Sequence, residues 1–120
     1  MPDSLPLFKP GQAITRQASA AITGGQLCIV TGSGTVGPSA AASVAWLGVA
    51  AFDAGTGENV TLHKGGVHRL VASGAITAGD AVIAAAAGAV ATGAGTVGQQ
   101  VGVALTTATN GQLVEVDLVR

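Results

Sequence analysis

The clearest pattern along the chain lies near its end. Over residues 113–119, Val114, Val116 and Leu118 share one parity, and Glu115 and Asp117 share the other. Successive side chains of a strand point to opposite faces, so this stretch reads as a β-strand with its valines turned inward. Residues 60–63 repeat the pattern, with Val60 and Leu62 set against Thr61 and His63. Two apolar runs without alternation also read as strands: residues 27–30, after Gly24-Gly25, and residues 44–52, interrupted by Gly48. Residues 63–69 read as a hairpin that turns on Gly65-Gly66.

The pattern also recurs. A shift of 54 residues lays residues 21–66 over 75–120 without a gap, and 14 of the 46 pairs are identical. Ala21-Ile22-Thr23 meets Ala75-Ile76-Thr77, and Gly48-Val49-Ala50 meets Gly102-Val103-Ala104. The reading is two copies of one β-rich unit, residues 21–66 and 75–120, joined by residues 67–74. Two copies make a pseudo-symmetric domain, since solenoids need three or more. The repeat also decides an ambiguous stretch. Alanines 84–87 favour helix by propensity, but their counterparts Val30-Thr31-Gly32-Ser33 form a turn signal, so a hairpin is expected. Short strands separated by glycine turns define an all-β class, a small sandwich or barrel.

Residues 1–18 stand apart from the single β domain expected over 19–120. They hold Pro2, Pro6 and Pro10, which fix φ and remove donors, so the segment is expected to be extended. It also carries Leu5, Leu7, Phe8 and Ile14. An extended apolar segment without a local partner is either an arm that docks elsewhere, as a strand added to another chain's sheet, or a loose terminus. The docking reading makes Leu5, Leu7, Phe8, Pro10 and Ile14 the candidate contact residues.

Composition narrows the function classes. With 24 Ala and 19 Gly, and with Phe8, Trp46 and Phe52 as the aromatics, the core must be built from small aliphatic side chains. Each buries little area, and burial contributes only about 25 cal/mol per Å², so burial in an oligomer or against a partner is expected. Five basic and six acidic residues give a formal net charge of −1. That charge lacks the basic footprint of nucleic-acid binding and any electrostatic attraction to acidic lipid. The N-terminus has no basic stretch followed by a long apolar one, so no secretory signal is read there. No apolar run approaches the roughly 20 residues of a membrane helix. Cys28, the single cysteine, lies within Leu27-Cys28-Ile29-Val30 and reads as a small buried hydrophobe.

Candidate chemistry is sparse. His63 and His68 flank Lys64 and precede Arg69, and a metal site would need a third ligand such as Asp53 or Glu58. That spacing matches no ligand pattern, and a solvated hairpin is the expectation. Gly32-Ser33-Gly34 and Gly93-Ala94-Gly95 read as turns, without the helix that a phosphate loop requires. Lys64 invites comparison with biotinyl and lipoyl carrier domains, but its neighbours His63 and Gly65 lack the flanks of those carriers. No enzyme and no cofactor is expected. Trp46 reads as core filler, with a contact to another protomer or to a partner surface as the functional alternative.

The segment Leu47-Gly48-Val49-Ala50-Ala51-Phe52-Asp53, a short turn, and Val60-Thr61-Leu62-His63-Lys64-Gly65-Gly66-Val67-His68-Arg69 together resemble the lambda-type head decoration proteins of tailed bacteriophages. The extended arm, Ala78-Gly79-Asp80-Ala81-Val82 and the closing Gly111-Gln112-Leu113-Val114-Glu115-Val116 look like the related capsid cement proteins. The resemblance covers roughly residues 7–120. It implies a small β-tulip-like sandwich or barrel with an N-terminal arm. It also implies a non-enzymatic virion protein on the outer surface of the head, made in the host cytoplasm, which stabilises the major capsid protein lattice against internal DNA pressure. The implied partners are the major capsid protein and further copies of the chain: a trimer near local three-fold positions, with dimer or monomer open. No cofactor, nucleic acid or membrane is implied. The lambda-type chains carry one copy of the mid-unit, whereas this chain carries two. The alternative class is a generic β-rich interaction or adhesion module.

Overall fold

The computed structural model describes residues 7, 12–93 and 95–120. Ten strands follow one another: β1 Ile14–Ala18, β2 Leu27–Gly32, β3 Thr35–Pro38, β4 Trp46–Ala50, β5 Asn59–His63, β6 Val67–Val71, β7 Ala81–Ala84, β8 Val90–Thr92, β9 Gln100–Ala104 and β10 Leu113–Leu118. The first five close into a barrel in the order β1-β3-β2-β4-β5, and the second five form a sheet in the order β6-β10-β9-β7-β8. The all-β class read from the alternation is the observed one.

The shift of 54 residues relates the ladders pair by pair. In the first unit Leu27 faces Val49, Cys28 faces Gly48 and Ile29 faces Trp46, with a bulge between Cys28 and Ile29. In the second unit Ala81 faces Val103, Val82 faces Gly102 and Ile83 faces Gln100, with the bulge between Val82 and Ile83. The isolated bridge Ile22–Ala54 has its counterpart in Ile76–Ala108. The equivalence extends upstream of residue 21: Ile14 pairs with Leu62, and His68 pairs with Val116.

Two expectations are corrected here. Residues 67–74 are not a joint between the copies, because β6 is the first strand of the second unit and pairs with β10. Residues 63–69 are not a hairpin either. β5 pairs with β1 and β4, so Gly65-Gly66 carries the chain from the barrel to the second sheet. The mistake has a physical source, since the turn signal of two glycines is real but the strands it separates belong to different ladders. The arm boundary moves as well: Ile14 opens β1, inside the barrel wall. At residues 81–92 the expected hairpin stands, with β7 and β8 antiparallel around a single 3-10 turn at Ala86–Gly88.

Two of the glycines shared by the copies are explained by space rather than by turn geometry. A Cβ on Gly48 would run into the carbonyl oxygen of His63, and one on Gly102 into that of Asp117, each on the neighbouring strand. Gly57 and Gly111, by contrast, adopt φ of +85° and +84°, which side chains with a Cβ resist.

The core crosses the boundary between the units. Ala18, Ile22, Cys28, Val36, Val60 and Leu62 fill the barrel. Leu27, Trp46 and Val49, from the other side of the barrel wall, pack with Leu70, Ile76, Val82, Val101, Val114 and Val116 of the second unit. Val114, Val116 and Leu118 are buried and Asp117 is exposed, as the alternation requires.

Candidate docking surface

The two units differ at one place. In the barrel, β1 closes against β3 in parallel through Gln17–Thr35 and Ala18–Val36. In the second unit the same closure is reduced to the single bridge Ala72–Val90. Ser73 N–H still reaches the Val90 carbonyl at 2.7 Å, as Ser19 N–H reaches Val36 at 2.8 Å. Beyond that bridge the edge of β6 is open. Ala72 N–H donates to Gln112 O across the β6–β10 ladder at 2.8 Å. By strand alternation, the backbone groups of Leu70 and His68 face β10 too, while those of Arg69 and Val71 face the open side.

A groove of about 370 Å³ lies along that edge. One wall is Thr23 to Gln26 of the first unit, the other is the turn at Ala86–Gly88, and Arg69, Val71 and Leu113 line it from the sheet. Gln26 Nε2 donates to Ala87 O at 3.1 Å and ties the two walls together. Ala87 takes φ of +57°, the left-handed region, to present that carbonyl.

A second cleft sits where the units meet. It is lined by residues 95–98 with Gln100, Val119 and Arg120. The guanidinium of Arg120 lies over the Trp46 ring, 4.2 Å from its centroid. It also donates to the carbonyls of Trp46 and Gly98 at 3.1 and 2.7 Å. Trp46 Nε1–H donates to Gly98 O at 3.2 Å, and the side chain is 1% exposed. Trp46 is therefore core, and a partner arriving at this face meets Arg120 and Val97, not the indole.

Asp53 and Glu58, the carboxylates considered as metal ligands, have other work, and Asp80 shares it. Asp53 Oδ1 accepts from Gly24 N–H at 2.7 Å, Glu58 Oε1 from Gly55 N–H at 2.5 Å and Asp80 Oδ2 from Thr77 N–H at 3.0 Å. The copies reuse these turn bonds with neutral groups: Thr107 Oγ1 accepts from Ala78, Gln112 from Thr109 and Gln26 from Thr23. His63 and His68 do come together, their rings stacked at 6.0 Å, and the His68 Nε2 lies 2.8 Å from Gly65 O. Among the described residues no group of three potential metal ligands forms. Burial pushes the Cys28 thiol up to about 11, so it stays protonated and inert.

Of the arm candidates, Leu7 is described and stands 87% exposed, and Ile14 lies half-buried in β1. Leu5, Phe8 and Pro10 lie outside the described residues. The sequence reading missed the open edge of β6, because edge and interior strands share one apolar pattern.

The described residues form two five-stranded all-β units with a shared core and an open edge on β6. The family model for phage cement proteins matches residues 8–118. The chain belongs to that family, which makes it a structural protein associated with the phage capsid. A solved structure of similar fold is the N base of the head fiber protein gp8.5 of bacteriophage phi29, with a TM-score of 0.69 and 20% identity over 88% of this chain and 92% of that one. No curated protein sequence matches the chain.

Proposed function

We propose that the protein binds the outer surface of a phage head as a non-enzymatic decoration protein and stabilises the major capsid protein lattice against the outward push of packaged DNA. The observation that carries this reading is the cement-family match over residues 8–118, on a chain whose first described strand opens at Ile14. The residues before that strand are the contact element. Leu5, Leu7 and Phe8, flanked by Pro6 and Pro10, enter a capsid sheet or loop as an added strand, with backbone bonds setting register. Three such side chains contribute roughly 5–9 kcal/mol of gross burial, and ordering the segment offsets much of it. One arm binds weakly, and several arms on an oligomer gain by avidity. Ile14 contributes by anchoring the arm to the barrel.

The test is co-sedimentation of the protein with phage heads that lack it, beside a variant without residues 2–11. Saturable binding at a fixed ratio to capsid subunits, lost in the variant, is expected. Absence of binding by the full chain overturns the decoration reading. Equal binding by the two overturns the role of the arm.

A further inference from the structure

We infer that the open edge of β6 is a strand-acceptor site for residues 3–11 of a second copy of this chain. The inference goes beyond capsid docking and holds or fails without a capsid. The acceptor has three elements. The backbone N–H and C=O of Arg69 and the N–H of Val71 face away from β10, and beyond the Ala72–Val90 bridge, which takes up the Val71 carbonyl, no described strand pairs with β6 on that side. The equivalent edge in the first unit is paired, Gln17 to Thr35. The groove beside β6 is apolar where a strand would lie, through Val71, Leu113, Ala86 and Ala87, and carries one charge, Arg69.

The donor is written in the parity of the arm. Pro2, Pro6 and Pro10 are all even-numbered, so in an extended strand the three missing donors fall on one edge. The other edge keeps every N–H, from Asp3, Leu5, Leu7, Lys9 and Gly11. Such a segment pairs on one side only and terminates whatever sheet it joins. Leu5 and Leu7 supply apolar side chains, and Asp3 is opposite in charge to Arg69. Eleven residues span about 36 Å when extended, roughly twice the length of a five-residue strand, so the segment is long enough to pair along β6 of a second copy. Leu7 is 87% exposed in its own copy, outside that copy's groove.

Sedimentation of the full chain across a concentration series tests this, with Leu7→Pro and Ser4→Pro as paired variants outside the folded strands. Self-association is expected. Leu7→Pro, on the intact edge, weakens it at least about tenfold, as the loss of one or two net hydrogen bonds would. Ser4→Pro, on the edge already blocked, leaves it within about twofold. Hydrogen exchange at the amides of Arg69 and Val71 slows on association. A monomer at every concentration overturns the inference, as do equal effects of the two prolines. Protection of those amides in a monomer assigns the groove to the chain's own arm and overturns the second copy as occupant.

Discussion

Arg120 covers Trp46. The guanidinium rests 4.2 Å from the ring centroid and donates to the carbonyl of that same residue and to Gly98. One side chain thus joins the first unit's tryptophan to the loop before β9 in the second. Replacing Arg120 with alanine removes a cation–π contact and bonds to three carbonyls, the third being Val44 O at 3.4 Å. The expected loss is about 1–2 kcal/mol by chemical denaturation, with a red shift of Trp46 emission as the ring gains water. Lysine recovers only part of it, because the planar fork is what reaches several carbonyls at once. In the parent protein, emission of the buried Trp46 is expected to stay unchanged on decoration.

Gly48 and Gly102 face the same obstacle in the two copies. Alanine at either position is expected to destabilise by about 1–3 kcal/mol, as for overpacking in a tight site. The strand must move away from the His63 or Asp117 carbonyl. Thermal unfolding of the two single variants checks this. Equal losses would show that the duplicated ladders are also energetically equivalent.

Cys28 gives a pH signature at the alkaline end. Its folded thiol titrates near 11, against 9.0 for the free group, because burial disfavours the thiolate. The contribution is therefore fully present below pH 9 and declines as pH rises from 9 to 11, where the unfolded chain ionises first. The span corresponds to about 2–3 kcal/mol. Denaturation across that range should show a slope that Cys28→Ala lacks. A thiol reagent at pH 8 should label the denatured chain and spare the native one.

Asp53 holds the Gly24 turn through one bond from its carboxylate. Asp53→Ala is expected to cost about 1 kcal/mol. Asp53→Thr, which imitates Thr107 in the second copy, should restore most of it. Melting temperatures of the pair decide between a turn-holding role and none.

Much of the fold was legible because β10 and β5 carry one buried face each, so parity alone located Val60, Leu62, Val114 and Val116. The repeat was legible for a different reason: glycines at close approaches such as Gly48 and Gly102 are costly to replace and stand at the same place in both copies. What stayed hidden depends on pairing. Nothing local to Gly65-Gly66 says whether the flanking strands pair with each other or with β1 and β10. Trp46 shows the same gap, since a tryptophan among small residues suits a core or an interface, and only the position of Arg120 decides. The open edge of β6 was invisible for the strongest reason of all: an unpaired strand edge is a property of backbone groups, and every residue but proline brings the same ones.

The core shared by the two units bears on how the molecule yields under load. Leu27, Trp46 and Val49 of the barrel are packed among Val82, Val101 and Val114 of the second sheet. In a linear array of repeats, neighbours melt one after another along the chain. Here neither unit can open without stripping apolar cover from the other. Heat or tension is therefore met by one cooperative, all-or-none transition of the 54-residue pair, and a pull applied to the barrel is resisted by both halves together.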